Sequence, residues 1–449
     1  MQNNVAQVET ENLEPRVVAR PDHSVSRSGV SPSAIKVLYR LFRSGYTAYL
    51  VGGSVRDLLV GERPKDFDVA TNARPGEVRR LFRNSRIIGR RFRLVHVIFS
   101  DEIVEVATFR ASPEAPEGPD EWEEAEAEAA EADAEPDRTR SAPTRVDQGV
   151  YGTPAEDAQR RDFTVNGLFY NIADFSVIDY VGGLDDLESR LIRTIGEPER
   201  RFREDPVRMM RALEYSARLG FRIEPATLEA ITRCLDQITD ASPARLSYEL
   251  FETLRSGHAA AIYRAWRQAG LFERAFPGVA GDERQDAMML DFVDKVVVGG
   301  RRLPDSTLIG IFFLHRFFAE HADLTADGRK LDNVEMLRRI AVMLEPAVVG
   351  LRLSNHTLHL MAQGLFTLTK MLRPPERGRQ VLKLARNDYF EAAWGLQGLA
   401  ADAGLVPDSA RRGWVDAVHR LRRGGERALE DAGRPRPKRR RRPHRRRRT

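Results

Sequence analysis

The sequence predicts an α+β fold in which a small mixed sheet is followed by a long, all-helical region. Two observations support this prediction. Short apolar runs, some alternating with polar residues, fall within residues 49–108, a pattern typical of strands. After about residue 181, apolar residues recur at intervals of three and four, as on one face of a helix. We therefore expect one mixed-sheet domain and several helical regions.

A glycine pair separates the first predicted strand from a helix. The apolar run at residues 49–51 predicts a buried strand, and residues 54–60 have helical spacing. Gly52 and Gly53 lie between them, where the absence of side chains lets backbone N–H groups and the positive end of a helix approach a phosphate. The stretch therefore predicts a phosphate-binding turn.

Two aspartates follow on a second strand, predicted over residues 65–69. Side chains alternate across a strand, so Asp66 and Asp68 point to one face while Phe67 and Val69 point into the core. Mg²⁺ takes oxygen ligands and obtains few of them from protein, so paired carboxylates beside a phosphate suit this ion. An Asp-x-Asp tripeptide alone is more often a solvated strand face, so the prediction depends on the neighbouring glycine turn.

Glu105 lies within the second of two strands predicted over residues 90–99 and 103–108, which form a hairpin. Its neighbours are apolar, and a buried carboxylate without a partner is costly, so we expect a cation or an arginine beside it. A third metal ligand and a structural ion pair both satisfy this expectation. Residues 1–30 show no sustained periodicity and are expected to be disordered, with a serine-capped helix beginning at Ser31-Pro32.

The net charge of +5 hides a strong segregation of charge along the chain. Residues 112–137 contain twelve acidic and no basic residues, and residues 434–449 contain eleven Lys or Arg and no acidic residue. We expect residues 112–148 to be a solvated, mobile insertion and residues 424–449 to be a disordered basic tail. The remainder is mildly basic, which favours a nucleic-acid partner.

The cysteine count and the hydropathy exclude several classes of protein. Cys234 is the single cysteine, which excludes an internal disulfide and a cysteine zinc site. No apolar run reaches the length of a membrane span, and the polar N-terminus is unlike a signal peptide. The sequence therefore predicts a soluble, cytoplasmic protein.

Two further polar motifs lie later in the sequence, at residues 160–162 and 204–208. Arg160 and Arg161 precede Asp162, and adjacent arginines can clamp a triphosphate, although such a tripeptide is usually a surface charge cluster. The second motif, at residues 204–208, places two acids and Arg208 on one helix face. Its simpler interpretation is a capped helix with a surface ion pair; the alternative is a set of donors and acceptors for a base edge.

Together these residues resemble the signature of the nucleotidyltransferase family that comprises CCA-adding enzymes and bacterial poly(A) polymerases. The resemblance rests on Gly52-Gly53-x-Val55-Arg56-Asp57, on Asp66-x-Asp68, on Arg160-Arg161-Asp162-Phe163-Thr164-x-Asn166 and on Glu204-Asp205-x-x-Arg208. The basic block at residues 81–97 and the arginine-rich C-terminus are similar to those of bacterial poly(A) polymerases. CCA addition to tRNA remains the alternative function, and a non-catalytic RNA-binding relative is a third.

The resemblance implies a fold, a reaction and partners. It implies a polymerase β-like nucleotidyltransferase head at residues 31–180, a helical neck at residues 181–256 and a helical body and tail at residues 257–423. The implied reaction is template-independent addition of AMP from ATP to RNA 3′ ends with two Mg²⁺ ions. RNA and proteins of the RNA-decay machinery are the implied partners.

The resemblance also implies roles for individual residues. The implied catalytic residues are Asp66, Asp68 and Asp162, of which Asp66 and Asp68 hold the metal ions. The implied nucleotide-binding residues are Gly52, Gly53, Arg56, Arg160, Arg161, Glu204, Asp205, Arg208 and Arg211. The tail residues expected to bind RNA are Arg434, Arg436, Lys438, Arg439, Arg440, Arg441, Arg442, Arg445, Arg446, Arg447 and Arg448.

Overall fold

The computed structural model describes residues 14–89, 93–111, 151–328, 331–376 and 378–432. The predicted acidic insertion at residues 112–148 and the basic tail residues 434–449 lie outside these ranges. The chain divides into two compact units. Unit 1 comprises residues 1–249 and 268–274, and unit 2 comprises residues 250–267 and 275–449.

Unit 1 is built on an eight-stranded mixed sheet. The spatial order of the strands is β1-β8-β7-β2-β3-β6-β5-β4, and only β3 and β6 are parallel neighbours. The strands are β1 (Arg16–Val18), β2 (Ala48–Val51), β3 (Asp68–Thr71), β4 (Ser85–Ile88), β5 (Leu94–Ile98), β6 (Ile103–Thr108), β7 (Leu168–Asn171) and β8 (Val177–Asp179). The two strands beside the predicted motifs, β2 and β3, are therefore central.

The helices of unit 1 cover the sheet and then continue as a helical region. α1 begins where predicted, because the Ser31 side chain accepts a hydrogen bond from the backbone N–H of Ala34 at 3.0 Å. This helical region also contains a short two-stranded parallel sheet, in which β9 (Leu191–Ile192) pairs with β10 (Arg222–Ile223). The helices are α1 (Pro32–Arg43), α2 (Gly53–Leu59), α3 (Pro75–Leu81), α4 (Pro154–Arg160), α5 (Gly183–Glu188), α6 (Pro198–Glu204), α7 (Val207–Leu219), α8 (Pro225–Cys234) and α9 (Pro243–Leu254), which ends in unit 2.

The main core of unit 1 packs α1 against one face of the sheet. Val37, Leu38 and Leu41 of α1 are fully buried in one cluster with Leu50 of β2 and Val106 of β6. The apolar residues recur at intervals of three and four on the helix and at every second position on the strands. Burial of this shared apolar face fixes β2 and β3 in place, and the residues at their ends are positioned with them.

The structure differs from the sequence prediction at several places in the sheet. Residues 16–18, within the segment expected to be disordered, form β1 and pair with β8. The second predicted strand begins at Asp68 rather than at residue 65, because Pro64 and its neighbours lie in an irregular connection. The sequence pattern also predicts no strand at β4, β7 or β8, whereas the structure has all three; the hairpin of β5 with β6 is confirmed.

Unit 2 is helical throughout its described residues, as predicted. Its last helix continues to Ala432, past residue 424, where we expected the tail to begin. No described helix combines the length and apolar character needed to cross a bilayer. The remaining helices, the first two of which straddle the boundary with unit 1, are α10 (Ala259–Gln268), α11 (Leu271–Ala275), α12 (Glu283–Val298), α13 (Asp305–Gly310), α14 (Leu314–Leu324), α15 (Asn333–Met343), α16 (Glu345–Leu351), α17 (Asn355–Leu368), α18 (Gly378–Ala385), α19 (Phe390–Asp402) and α20 (Asp408–Ala432).

Candidate active site

The glycine turn connects the end of β2 to the start of α2. Gly52 has a φ of +71°, a conformation that residues with a side chain rarely adopt. A Cβ atom at Gly52 would also stand only 3.0 Å from Nη1 of Arg161. Glycine is thus required at this position both for the turn and for the close approach of an arginine from the second motif.

Arg56 lies in the interior behind this turn, and only 2% of the residue is exposed. Its Nε and Nη2 contact Oδ1 of Asp57 at 2.8 and 2.7 Å, and Nη1 donates to the side-chain oxygen of Asn166. All three guanidinium nitrogens therefore have protein partners. This placement differs from the predicted direct contact with a nucleotide, because the charge is buried and used to support the turn.

Asp66 and Asp68 face solvent beside the glycine turn, while Phe67 and Val69 are buried. This alternation confirms the predicted orientation of the two carboxylates. Asp68 starts β3 directly opposite Val51, the last residue before the turn. Asp66 lies in the preceding connection, where Lys65 approaches it to 4.0 Å. The strand pairing thus brings a carboxylate to the phosphate-binding turn.

The surroundings of Asp68 are crowded with negative charge. Asp68 reaches the surface, but many protein atoms surround its carboxylate. This desolvation, together with the nearby carboxylates of Glu105 and Asp66, raises the pKa of Asp68 to about 7, and Arg161 acts in the opposite direction. Glu105 is 41% exposed and lies 3.5 Å from Nε2 of His96. The expectation that Glu105 is buried is therefore wrong, because the residue lies on the solvent-facing side of β6.

The second motif supplies Arg161 to the same place. Its Nη2 donates to Asp157 at 3.0 Å, its guanidinium stacks over the Phe169 ring at 5.3 Å, and Nη1 lies against Gly52. Arg161 is thus held between the glycine turn and the charge of Asp68. Arg160 points elsewhere and donates to the carbonyl of Ala111 at 2.7 Å.

Asp162 is buried in a different group of partners. Oδ1 accepts hydrogen bonds from the Phe163 backbone N–H at 2.8 Å and from Nδ2 of Asn166 at 3.0 Å, and Oδ2 lies 2.9 Å from Nη2 of Arg211. Although burial opposes it, the Arg211 charge and these hydrogen bonds leave the pKa of Asp162 lowered. Arg211 and Asp162 therefore form an internal ion pair, while the charges that act on Asp68 come from other residues.

The third motif spans the break between α6 and α7. Glu204 ends α6, and Asp205 lies just after it; the Val207 N–H, at the start of α7, lies 3.3 Å from Oδ1 of Asp205. Arg208 lies 3.5 Å from Glu204 and 3.9 Å from Asp205, so the predicted grouping of these three side chains is present. The Arg208 side chain also donates to the carbonyl of Arg201 at 3.0 Å.

Two residues of α9 that the motifs do not contain also reach this group. Nη2 of Arg245 donates to Oδ2 of Asp205 at 2.7 Å. Glu249 lies one turn later, and burial, opposed by the Arg211 charge, raises its pKa to about 7. The helix start at Ser242-Pro243 and the spacing of Arg245 and Glu249 at i and i+4 are the sequence features that could have indicated them.

The carboxylates beside the glycine turn suit a Mg²⁺ ion. Among the described ranges, no three His, Cys, Asp or Glu side chains are grouped as a preformed metal site. Mg²⁺ commonly takes one or two carboxylates and completes its shell with water and phosphate oxygens. Two exposed aspartates in a region of excess negative charge fit that requirement, and Asp66 and Asp68 are those residues.

Comparison with known proteins identifies family profiles that match two parts of the chain. A family profile described as "Poly A polymerase head domain" matches residues 48–193. A second, described as "Probable RNA and SrmB- binding site of polymerase A", matches residues 220–282. The first profile contains the glycine turn, both exposed aspartates and Arg161.

Individual relatives extend the similarity over most of the chain. Poly(A) polymerase I of Salmonella typhi is 39% identical over 399 residues, which cover 86% of this chain and 81% of that protein. The CCA-adding enzyme of Bacillus velezensis is 34% identical over 252 residues, or 56% of this chain and 57% of that protein. The crystal structure of the Bacillus stearothermophilus CCA-adding enzyme in complex with CTP, 24% identical, matches with a TM-score of 0.55 over 88% of this chain and 83% of that one; this likeness shows a shared fold.

Proposed function

The chain belongs to the poly(A) polymerase family, and from this premise we propose that it adds AMP from ATP to RNA 3′ ends without a template. The observation that carries the proposal is the position of Arg161. Its guanidinium lies against Gly52 of the phosphate-binding turn and acts on the charge of Asp68. Three separate sequence motifs therefore meet at one place that suits a nucleoside triphosphate.

In the proposed reaction, the 3′-hydroxyl of RNA attacks the α-phosphate of ATP in line, and pyrophosphate leaves. The glycine turn and Arg161 bind and orient the triphosphate, whose charge the guanidinium offsets. Asp157 and the Phe169 ring hold that guanidinium in place. Arg160, whose side chain now contacts Ala111, is proposed to contribute a second cation to the triphosphate.

Asp66 and Asp68 are the proposed ligands of two Mg²⁺ ions. When bound, the ions supply Lewis-acid activation of the hydroxyl and neutralise charge on the leaving pyrophosphate. The like-charged neighbours that raise the pKa of Asp68 also favour a divalent cation at this site. Asp162 is proposed to contribute indirectly, by holding Arg211 at the junction of the sheet with α7.

Selection of the base is assigned to Glu204, Asp205 and Arg208. The three side chains offer donors and acceptors within 4 Å of one another, and Arg245 fixes the orientation of Asp205. A hydrogen-bonding site rejects a base whose edge leaves its polar groups unpaired. We assign this group to adenine rather than cytosine, because poly(A) polymerase relatives match more of the chain than CCA-adding relatives do.

The proposal includes partners and a location. RNA binds through the region that matches the second family profile and through the basic tail, whose residues lie outside the described ranges. We propose that the enzyme acts in the cytoplasm, with proteins of RNA decay as its partners.

The proposed function is tested with purified protein, Mg²⁺ and a labelled RNA primer without tRNA structure, with each nucleotide supplied alone. We expect extension with ATP, little with the other three, and none when EDTA removes the metal. Efficient CTP use that stops after a few additions supports CCA addition instead. RNA binding without extension by any nucleotide supports the non-catalytic relative.

A further inference from the structure

Tyr215, in the middle of α7, lies against three arginines. The guanidinium carbons of Arg56, Arg218 and Arg211 lie 4.9, 5.6 and 5.8 Å from the centre of its ring. Nη2 of Arg211 also donates to the tyrosine hydroxyl at 2.8 Å. The edge of the ring packs against Phe163 at 5.6 Å and 88°. Tyr215 is 9% exposed, so these contacts form away from bulk water.

One of these arginines joins Tyr215 to the glycine turn. Nη2 of Arg56 lies 3.2 Å from the position that a Cβ atom of Gly53 would occupy. The Tyr215 ring contacts the same Arg56 guanidinium, and the Asp57 carboxylate neutralises the guanidinium charge. The buried Arg56 side chain therefore fills the space between the phosphate-binding turn and α7.

The same helix begins at the proposed base-selecting residues. Arg208 lies in its first turn and Arg211 one turn later, paired with Asp162. We propose that Tyr215 is a positioning residue, which holds Arg56 against the glycine turn and thereby fixes that turn relative to Arg208. This inference rests on the proposed function and adds a residue that touches neither phosphate nor base.

The physical basis is the attraction between a cation and the face of an aromatic ring, which is strongest where water is excluded. Loss of the ring would release Arg56 and loosen the turn, so ATP would bind less tightly. It would also leave the phosphate-binding turn less firmly fixed relative to the base-selecting residues. A smaller base would then be accepted more readily. A displacement of about 1 Å, caused by a substitution far from the reacting atoms, can have a large effect on the reaction rate.

The test compares Tyr215→Leu with Tyr215→Phe and with Tyr39→Leu. Phenylalanine keeps the ring over Arg56 and loses only the hydroxyl. Tyr39 is a matched control on α1, since Arg43 lies 5.5 Å from its ring centre and Arg27 donates to its hydroxyl at 2.7 Å. ATP affinity is measured by equilibrium dialysis without RNA, and nucleotide preference as the ratio of kcat/KM for ATP and CTP.

We expect Tyr215→Leu to weaken ATP binding about tenfold and to lower the ATP-to-CTP ratio by a similar factor. Tyr215→Phe and Tyr39→Leu should stay within about twofold of the unmodified protein. The ratio does not depend on the fraction of active protein, so a merely destabilised variant would leave it unchanged. Values for folded Tyr215→Leu within twofold of the unmodified protein would overturn the inference.

Arg56→Lys tests the same contact between Arg56 and Tyr215 if Tyr215→Leu does not accumulate as folded protein. Lysine keeps the charge beside Asp57 but lacks the planar group that stacks on the ring. An about tenfold loss of ATP affinity is expected, and an unchanged affinity overturns the inference. If the unmodified protein itself fails to adenylate RNA, the proposed function fails; if it does so and the variants behave like Tyr39→Leu, only the inference about Tyr215 fails.

Discussion

At the scale of single residues, the carboxylates near the start of β3 repel one another. Desolvation and the carboxylates of Glu105 and Asp66 raise the pKa of Asp68, and Arg161 is the cation that opposes them. Such an arrangement is unfavourable for folding and is understandable as a site prepared for added positive charge. The residues of greatest functional interest are therefore those that the fold leaves electrostatically unsatisfied.

Replacement of Asp66 or Asp68 by alanine tests the metal assignment. Removal of one oxygen ligand should lower the adenylation rate at least 10²–10³-fold, because catalysis at such sites is mostly electrostatic. RNA affinity should persist, since the basic surfaces remain. Asp101→Ala, an exposed aspartate at the tip of the β5–β6 hairpin, is the control and should keep full activity. Near-normal adenylation by either variant would contradict the assignment.

The sequence predicts some residues of the site well and others poorly. The alternation of apolar Phe67 and Val69 predicts correctly that Asp66 and Asp68 face solvent. Burial of Arg56 could not be predicted, because it depends on Tyr215 and Asn166, more than one hundred positions away. The alternation of residues along one strand predicts which side chains face solvent, whereas the burial of Arg56 depends on tertiary packing.

At the scale of elements, the break between α6 and α7 presents the base-selecting side chains. Glu204 is the last residue of one helix and Arg208 the second of the next, and their side chains approach to 3.5 Å across the break. α9 supports this arrangement through the bond from Arg245 to Asp205. The orientation of the group therefore depends on three helices.

Arg208→Ala should reduce discrimination between ATP and CTP about tenfold or more, because unpaired polar groups no longer penalise the wrong base. Triphosphate binding should weaken less, since the glycine turn and Arg161 remain. Arg245→Ala should show a smaller shift in the same direction. The measurement is the ratio of kcat/KM values for ATP and CTP on one primer.

Arg203→Ala is the control for this series. Arg203 is exposed on α6 and forms an i,i+4 ion pair with Glu199 at 2.8 Å. It should leave nucleotide preference unchanged. A fall in ATP binding by Arg208→Ala with unchanged discrimination would assign that arginine to the phosphates instead.

Elements were predicted best where a strong local pattern exists. The α1 start and β6 have the predicted bounds, because a capped helix and an alternating strand are encoded by adjacent residues. β1 was missed, since three residues form a strand only by pairing with β8, about 160 positions later. The start of the basic tail is placed too early by the charge pattern alone, because α20 extends past residue 424 to Ala432.

At the scale of the whole molecule, unit 2 contains a buried ionisable group. Asp286 is fully buried; Oδ2 accepts hydrogen bonds from the Tyr263 hydroxyl at 2.8 Å and from the Gly281 N–H at 3.1 Å. Within the described part of the chain, Oδ1 has no hydrogen-bond partner. Burial raises the pKa of Asp286 to about 6, even though these hydrogen bonds and Arg267 oppose the change.

The raised pKa predicts a pH dependence of stability. The folded state binds the proton more tightly than the unfolded state, so the contribution of Asp286 is most favourable below about pH 4 and is lost as pH rises through about 6. Asp286→Asn should therefore gain about 2 kcal/mol relative to the unmodified protein between pH 4.5 and 7.5. Thermal melting at both pH values measures this change, and Asp291→Asn, an exposed position on the same helix, is the control. An equal difference at both pH values would contradict the prediction.

Deletion of residues 434–449 tests the role of the basic tail. The eleven cations should release counterions on binding single-stranded RNA, with a slope near ~0.7 per phosphate contact. Without these cations, RNA affinity should fall and should depend less on salt concentration. The adenylate tails added in one binding event should also be shorter. Turnover on saturating short primers should stay nearly unchanged. A serine-glycine tail of equal length is the control for chain length, and an unchanged salt slope would assign the tail to another partner.

The central claim is open-ended addition of adenylate to RNA, and the sequence of the added nucleotides tests it most directly. An unstructured RNA and a tRNA lacking its 3′ CCA are each incubated with the protein, Mg²⁺ and equimolar ATP and CTP, and the added nucleotides are sequenced. We predict runs of adenylate on both substrates, of many different lengths. Addition of C-C-A to the tRNA followed by a stop, with no extension of the unstructured RNA, would contradict the claim.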